Sequence, residues 1–238
     1  MDDNSARSKK GMGAGAQALA AVVLVSGLVG GMWGLRDLGD VSTDETKPAA
    51  CDSAQDARPS KQSKPSKQVS GAQLCTALNR RDLPTLLGTP DERAETAGGS
   101  ESWMKGAGGT KIVTPEATVQ LKTYAVKLSA SYDRLRVAQS VRLLGETAEA
   151  KKVLGRPAVL YSDRTIALSF SFDGHKIGQS DSRPGGIARS LVVAKDAKDG
   201  GGSFEIALWR QDEGMPDDEA LLRVAEKVLP TIPGWNAG

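Results

Sequence analysis

The chain has 238 residues, 4% of them aromatic, and a formal net charge of +2, which leaves room for one domain of about 150 to 200 residues beside a tail and a linker. So few aromatic faces exclude a stacking platform for carbohydrate or single-stranded nucleic acid. From Ser70 onward 22 Lys and Arg stand against 21 Asp and Glu, a balance that implies no nucleic-acid partner.

Residues 1–10 form a short segment carrying Arg7, Lys9 and Lys10. Residues 11–35 then run 25 positions without a charge, long enough as a helix to cross a hydrocarbon core of about 30 Å. A cleaved signal has a shorter apolar core followed at once by small residues, whereas this run ends in Met32-Trp33-Gly34-Leu35-Arg36. The expectation is therefore a retained transmembrane helix, with a cleaved signal as the alternative. Positive charge before the helix places the N-terminus in the cytoplasm and the rest of the chain outside the cell membrane, with the lipid bilayer as first partner. Gly11-xxx-Gly15, Gly27-xxx-Gly31 and Gly30-xxx-Gly34 have the spacing that lets two helices meet, so a homodimer through this helix is one reading. Frequent glycine in membrane helices is the other.

Residues 36–69 have no aromatic side chain and carry the near-repeat Pro59-Ser-Lys-Gln-Ser-Lys and Pro65-Ser-Lys-Gln. They read as a disordered tether. Cys51 in the tether and Cys75 beyond it are the only cysteines, and on the oxidising side of a membrane a disulfide between them is expected. The rival reading makes Cys51 a lipidated terminus after Ala49-Ala50, although Pro48 stands where such a box wants Leu.

Residues 70–238 form the external domain. Ser70 can cap a helix with Leu74, Ala77 and Leu78 on one face, and Asp82-Leu83-Pro84 can open a second ending at Gly88. Residues 89–111 contain Gly98-Gly99 and Gly106, Gly108 and Gly109 and read as a mobile surface loop. Residues 119–128 read as one strand with a bulge near Thr123. Leu135, Val137, Val141 and Leu143 alternate with Arg134, Arg136 and Arg142, the period of a half-buried strand whose outer face carries three guanidinium groups. A short helix is expected over 147–154, closed by Gly155. Ser162-Asp163-Arg164 reads as a hairpin turn between an apolar run at 158–161 and the alternating Ile166, Leu168, Phe170 and Phe172. Residues 190–194 and 204–209 make a further strand pair, and a final helix over 217–229 shows Leu221, Val224, Ala225 and Val228 on one face before Pro230. Strands clustered between terminal helices indicate an α+β domain on a largely antiparallel sheet.

Leu74-Cys75-Thr76-Ala77-Leu78, then Asp82-Leu83-Pro84-Thr85-Leu86-Leu87-Gly88, and the ending Val224-Ala-Glu-Lys-Val-Leu-Pro-Thr-Ile-Pro-Gly-Trp235 resemble small actinobacterial envelope proteins classed as domains of unknown function. The resemblance covers roughly residues 70–235 and implies an envelope location and an α+β fold. Its motifs carry no chemistry, and the chain departs from the lipoprotein members in its anchor helix and its lipidation box.

No catalytic residue, cofactor or metal ligand emerges. His175, the only histidine, lies in the turn-like Phe172-Asp173-Gly174-His175-Lys176 without a second histidine or spare cysteine for zinc. Ser102-Trp103-Met104-Lys105 matches the S-x-x-K of penicillin-recognising enzymes but lies between glycine clusters and lacks the accompanying motifs. Gly106-Ala-Gly-Gly-Thr-Lys111 lacks the ending of a phosphate loop, and Asp217-Asp218-Glu219 suits the first turn of a helix. The expected function is a non-catalytic binding or sensing module at the cell envelope. Its anion-binding face would be Arg134, Arg136 and Arg142, and its partner an envelope protein or an anionic polymer. The alternatives are a scaffold acting through helix association and, last, an enzyme.

Overall fold

A computed structural model describes residues 48–53, 68–105, 109, 111–173, 176–212 and 214–235. The predicted membrane span at 11–35 lies outside them, and among the described residues no helix is long and apolar enough to cross a membrane. Contacts divide the chain into two units. The smaller takes in 1–41 and 166–183, of which 166–173 and 176–183 are described, and the larger takes in 42–165 and 184–238.

The larger unit starts earlier than the tether reading allows, because residues 48–53 are built into it. Cys51 is bonded to Cys75, with 5.9 Å between their Cα atoms. Ala49 donates from its N–H to Ala94 O at 2.9 Å and accepts at its carbonyl from Asn79 Nδ2 at 2.8 Å. Strand β1 (Asp52–Ser53) follows. Helix α1 (Gly71–Leu78) opens on the expected cap: Ser70 Oγ accepts from Gln73 N, and Gln73 Oε1 accepts from Ser70 N, a reciprocal arrangement that satisfies two otherwise orphaned N–H groups. Helix α2 (Leu83–Leu86) follows with Pro84 in its first turn.

The remaining strands are β2 (Thr96–Lys105), β3 (Lys111–Gln120), β4 (Tyr124–Ser131), β5 (Glu149–Val153), β6 (Arg156–Asp173), β7 (Lys176–Ala194) and β8 (Ser203–Arg210). The sheet order is β1-β2-β3-β4-β8-β7-β6-β5. Strands β2 to β8 are antiparallel and β1 adds in parallel against Gly98 and Gly99. Helix α3 (Val137–Ser140) lies between β4 and β5, and α4 (Asp218–Val228) runs into a 3-10 turn at Leu229–Thr231. The result is a mostly-β fold with a few helices, in which the sheet outweighs the helical part of the expected α+β arrangement.

One sheet face holds the main core. Leu74 and Leu78 of α1 and Leu221, Val224, Ala225 and Val228 of α4 are buried with Val119, Val126, Leu128, Leu191, Val193, Ile206 and Leu208 of the strands. Each fully buried aliphatic side chain contributes about 1.5 to 3 kcal/mol of transfer free energy. Helix α1 lies so close to β2 that a Cβ on Gly99 would overlap the Gly71 carbonyl, and one on Gly71 would overlap Ser100. Gly99, one of the glycines that made 89–111 read as a loop, is there for this close approach, and 96–105 is a strand.

Four further expectations are corrected. The parity shift near Thr123 is a chain reversal between β3 and β4, with Leu121 N donating to Tyr124 O at 2.7 Å and Thr123 held by the Glu92 carboxylate. Residues 134–143 are a bend, α3 and a turn. Asp199, on the loop between β7 and β8, accepts from the N–H groups of Val137 and Ala138 at 2.8 and 2.9 Å, and so supplies from 62 positions away the cap that the local sequence lacks. Residues 149–153 are a strand, because Leu154 (φ 51°) and Gly155 (φ 78°) make a two-residue hairpin turn into β6. Ser162-Asp163-Arg164 continues β6 without turning.

Candidate functional site

The three arginines are exposed but do not share a strand face: Arg134 lies in the bend after β4, Arg136 stands at the N-cap of α3 and Arg142 lies in the turn beyond it. Alternation failed here because Val137 and Val141 are four apart and satisfy a helical period as well as a strand period. Both pack with Val159 and Ala194 on the sheet face opposite the main core. Leu143, expected inside, is 48% exposed.

The other sequence candidates find structural roles. Ser102 lies in β2 and donates to Thr114 O at 3.3 Å, so Ser102 and Lys105 sit along a strand where no helix turn brings them together. Asp217 caps α4 by accepting from Glu219 N and Ala220 N, and Asp218 forms a two-pronged pair with the Arg189 guanidinium at 2.5 and 2.7 Å. His175 and residues 106–108 lie outside the described residues. Among the described residues no group of three His, Cys, Asp or Glu is placed to hold a metal ion.

Two places collect polar groups. The first is an open groove of about 320 Å³ between α1 and the C-terminal turn, lined by Gln73, Thr76, Ala77, Arg80, Thr231 and Pro233. Its helical wall follows from spacing, since positions 73, 76 and 77 are i, i+3 and i+4 on one stripe of α1, and Arg80 follows just past the Asn79 C-cap. The opposite stripe carries Leu74, Cys75 and Leu78 into the core. Arg80 is fixed by a fork onto Asp82 and by donation to Lys227 O at 2.8 Å. The Arg80 guanidinium holds the Asp82 carboxyl below the usual carboxylate range. The disulfide anchors the same helix through Cys75, so the groove wall is held at its base by a covalent bond.

The second is a line of ionisable groups on the sheet face opposite the main core. Glu116 on β3 is 6% exposed, and its Oε2 meets Lys127 Nζ of β4 at 2.8 Å while Ser100 Oγ donates to its Oε1 at 3.3 Å. The Lys127 ammonium is buried without a hydrogen bond of good geometry. Across β8, the Tyr161 hydroxyl of β6 donates to Glu205 Oε1 at 2.5 Å, with buried Ser190 beside it. Burial pushes the Glu205 carboxyl above its ordinary value, against the Tyr161 hydrogen bond and the Lys127 charge that pull it down. Burial, with the Glu205 charge adding to it, pushes the Tyr161 phenol far up, so the phenol keeps its proton. Sequence reasoning passed over this line, although its signal is present: Glu116 and Lys127 each interrupt an apolar strand on the polar parity, next to Ala117 and Val126.

A family profile matches residues 9–147, more than half of the chain. The chain belongs to DUF6215, a family of unknown function. Neither a curated protein nor a solved structure matches it significantly. The DUF6215 match contains the helical wall of the groove and the Glu116–Lys127 pair, whereas Thr231, Pro233, Tyr161 and Glu205 come from the residues beyond it.

Proposed function

We propose that this DUF6215 member is a single-pass membrane protein of the actinobacterial envelope type, whose external domain binds an extended envelope protein or anionic polymer without turning it over. The observation that carries the binding reading is the groove beside α1: an open trough with hydroxyl, amide and guanidinium groups along it, set on a helix anchored by the disulfide. A groove open to solvent suits a chain lying across it better than a small molecule enclosed by it. Arg80, oriented by Asp82 and Lys227 O, offers a fixed cation to an acidic group on such a chain. The uncharged run at 11–35, which falls inside the family match, supports the anchor.

A photo-crosslinker at Pro233 in native membranes tests the reading, with a second placed at exposed Lys152 on β5 as control. Capture of one species from position 233, lost when Thr76→Trp fills the groove and absent from position 152, is the expected result. Capture that ignores Thr76→Trp would sink the groove, and turnover of the captured species by purified protein would sink the non-catalytic half.

A further inference from the structure

The hydrogens along the groove beside α1 are unevenly committed. Thr76 Oγ1 donates to Ala72 O at 3.0 Å, and Thr231 Oγ1 donates to Val228 O at 2.6 Å. A hydroxyl has one hydrogen to give, so both threonines turn only lone pairs toward a ligand. Gln73 is the reverse: its Oε1 accepts from Ser70 N at 2.9 Å, which fixes the amide and leaves Nε2 as a donor. Arg80 gives its Nε hydrogen and one on Nη2 to Asp82, and one on Nη1 to Lys227 O. Among the described residues nothing takes the second hydrogen on Nη1 or on Nη2. Arg80 is also the one charged residue that lines the groove. Its charge is already matched by the Asp82 carboxylate, which the guanidinium holds below the usual carboxylate range. What Arg80 has left to offer is a pair of N–H donors.

We propose that the ligand of this groove is the main chain of a polypeptide, a choice that rests on the groove being the binding site and narrows what it takes. Along the wall the row runs donor, acceptor, donor from Gln73 through Thr76 to Arg80, and Thr231 adds an acceptor from the other side. The edge of an extended polypeptide presents N–H and C=O groups in alternation. Its carbonyls take the Gln73 and Arg80 hydrogens, and its N–H groups meet the threonine oxygens. An anionic polymer offers only acceptors at its charged groups. It would set phosphate or carboxylate oxygens against the threonine lone pairs, with a single guanidinium, already paired, to hold them. The hydroxyls of a neutral glycan both donate and accept, but no aromatic side chain lines the groove for a sugar face to stack on. Ala77 and Pro233 supply apolar contact for the side chains of the bound peptide.

The side-chain NMR signals of Gln73 Nε2 and Arg80 Nε, followed in the full chain in detergent, test the proposal. The probes are acetyl-tetraalanine amide, its N-methylated counterpart, polyglycerol phosphate and dextran. The alanine peptide should shift both signals with a midpoint on the order of 1 mM. Its N-methylated counterpart should bind about tenfold more weakly, because the lost N–H groups leave the threonine oxygens unpaired, and the two polymers should move neither signal. Thr76→Val keeps the shape of the side chain and removes the acceptor. It should weaken the alanine peptide about tenfold and leave the N-methylated probe unchanged. Equal binding of the two peptides, an alanine peptide indifferent to Thr76→Val, or signals that move with polyglycerol phosphate or dextran each overturn the polypeptide assignment. So does the absence of a shift with all four probes. The groove itself stands or falls separately, on whether Thr76→Trp abolishes capture from position 233.

Discussion

Arg156 offers the sharpest test of how the C-terminal end is held. It opens β6, is 7% exposed, and donates from its two terminal nitrogens to the carbonyls of Lys195 and Trp235. Its guanidinium carbon stands 3.6 Å from the centre of the Trp235 ring, and that ring leans on Phe204 with centroids 5.8 Å apart. Truncation to Ala removes two hydrogen bonds from a charged donor, about 1.5 kcal/mol each at the low end, and a desolvated cation–ring contact of about 1 kcal/mol. Returning a cation to water offsets part of this; burial already pulls the Arg156 pKa below its ordinary value. The expected loss is about 3 kcal/mol, a large share of the 5 to 15 kcal/mol that a domain of this size commands. Urea unfolding of Arg156→Ala, followed by tryptophan fluorescence, measures it, and Arg156→Met separates the packing of the stem from the hydrogen bonds. If Arg156→Ala costs less than about 1 kcal/mol, the carbonyls find water and the stacked arrangement does not hold the terminus.

Replacing both Cys51 and Cys75 with Ala should cost about 3.5 kcal/mol in the chain-entropy treatment for the loop that the bridge closes, and should expose residues 48–53 to proteolysis; unchanged cleavage there would show that Asn79 and β1 suffice to hold them. Glu205→Gln tests the buried carboxyl. A folded-state pKa above the unfolded value means that the native chain takes up the proton first, so its stabilising contribution is complete below the unfolded carboxylate pKa and is lost as pH rises through the folded one. The variant keeps an acceptor for Tyr161 and removes that loss, so its urea midpoint should exceed the natural one at about pH 7 and converge with it near about pH 4; a lower midpoint at neutral pH would show that attraction to Lys127 outweighs burial.

Elements whose causes are local were legible in the sequence. The Ser70 and Gln73 cap, the acidic start and apolar face of the last helix, and the β7–β8 hairpin around a glycine-rich loop all arise from neighbours within a few positions. Elements whose causes are distant were not. Asp199 turns the start of α3 from far along the chain, and Gly71 and Gly99 matter only because α1 and β2 touch. A helix was expected to start at Thr147, yet the Thr147 hydroxyl donates to Ser162 O and accepts from Ser162 N across the sheet edge. Of the candidate residues, the two cysteines were legible because only one pairing exists. The groove was half legible: its helical stripe shows in the spacing of α1, but Thr231 and Pro233 reach it only through the packing of α4 and the turn after it.

The extent of the family match bears on where function should be sought. It ends at 147, just before β5, and would leave α1 to α3 and β1 to β4 as the shared part. That part cannot close its own core. In the sheet β4 has β3 on one side and β8 on the other, with Val126 opposite Leu208 and Leu128 opposite Ile206. Strand β7 lies beyond β8, with Leu191 opposite Ile206. Taking away residues 148–238 would open the edge of β4 to water along its whole length and uncover the fully buried Val126 and Leu128. An open edge of that length and apolarity is a site of aggregation. The matched segment therefore depends on β7 and β8 for its stability. Both polar sites are likewise shared between the two parts: the groove takes one wall from α1 and the other from Thr231 and Pro233, and the Glu116–Lys127 pair faces Tyr161 and Glu205. A ligand held at either site, as proposed, would be met by side chains from both sides of position 147, and variants in β8 or the C-terminal turn should then change binding as much as variants in α1.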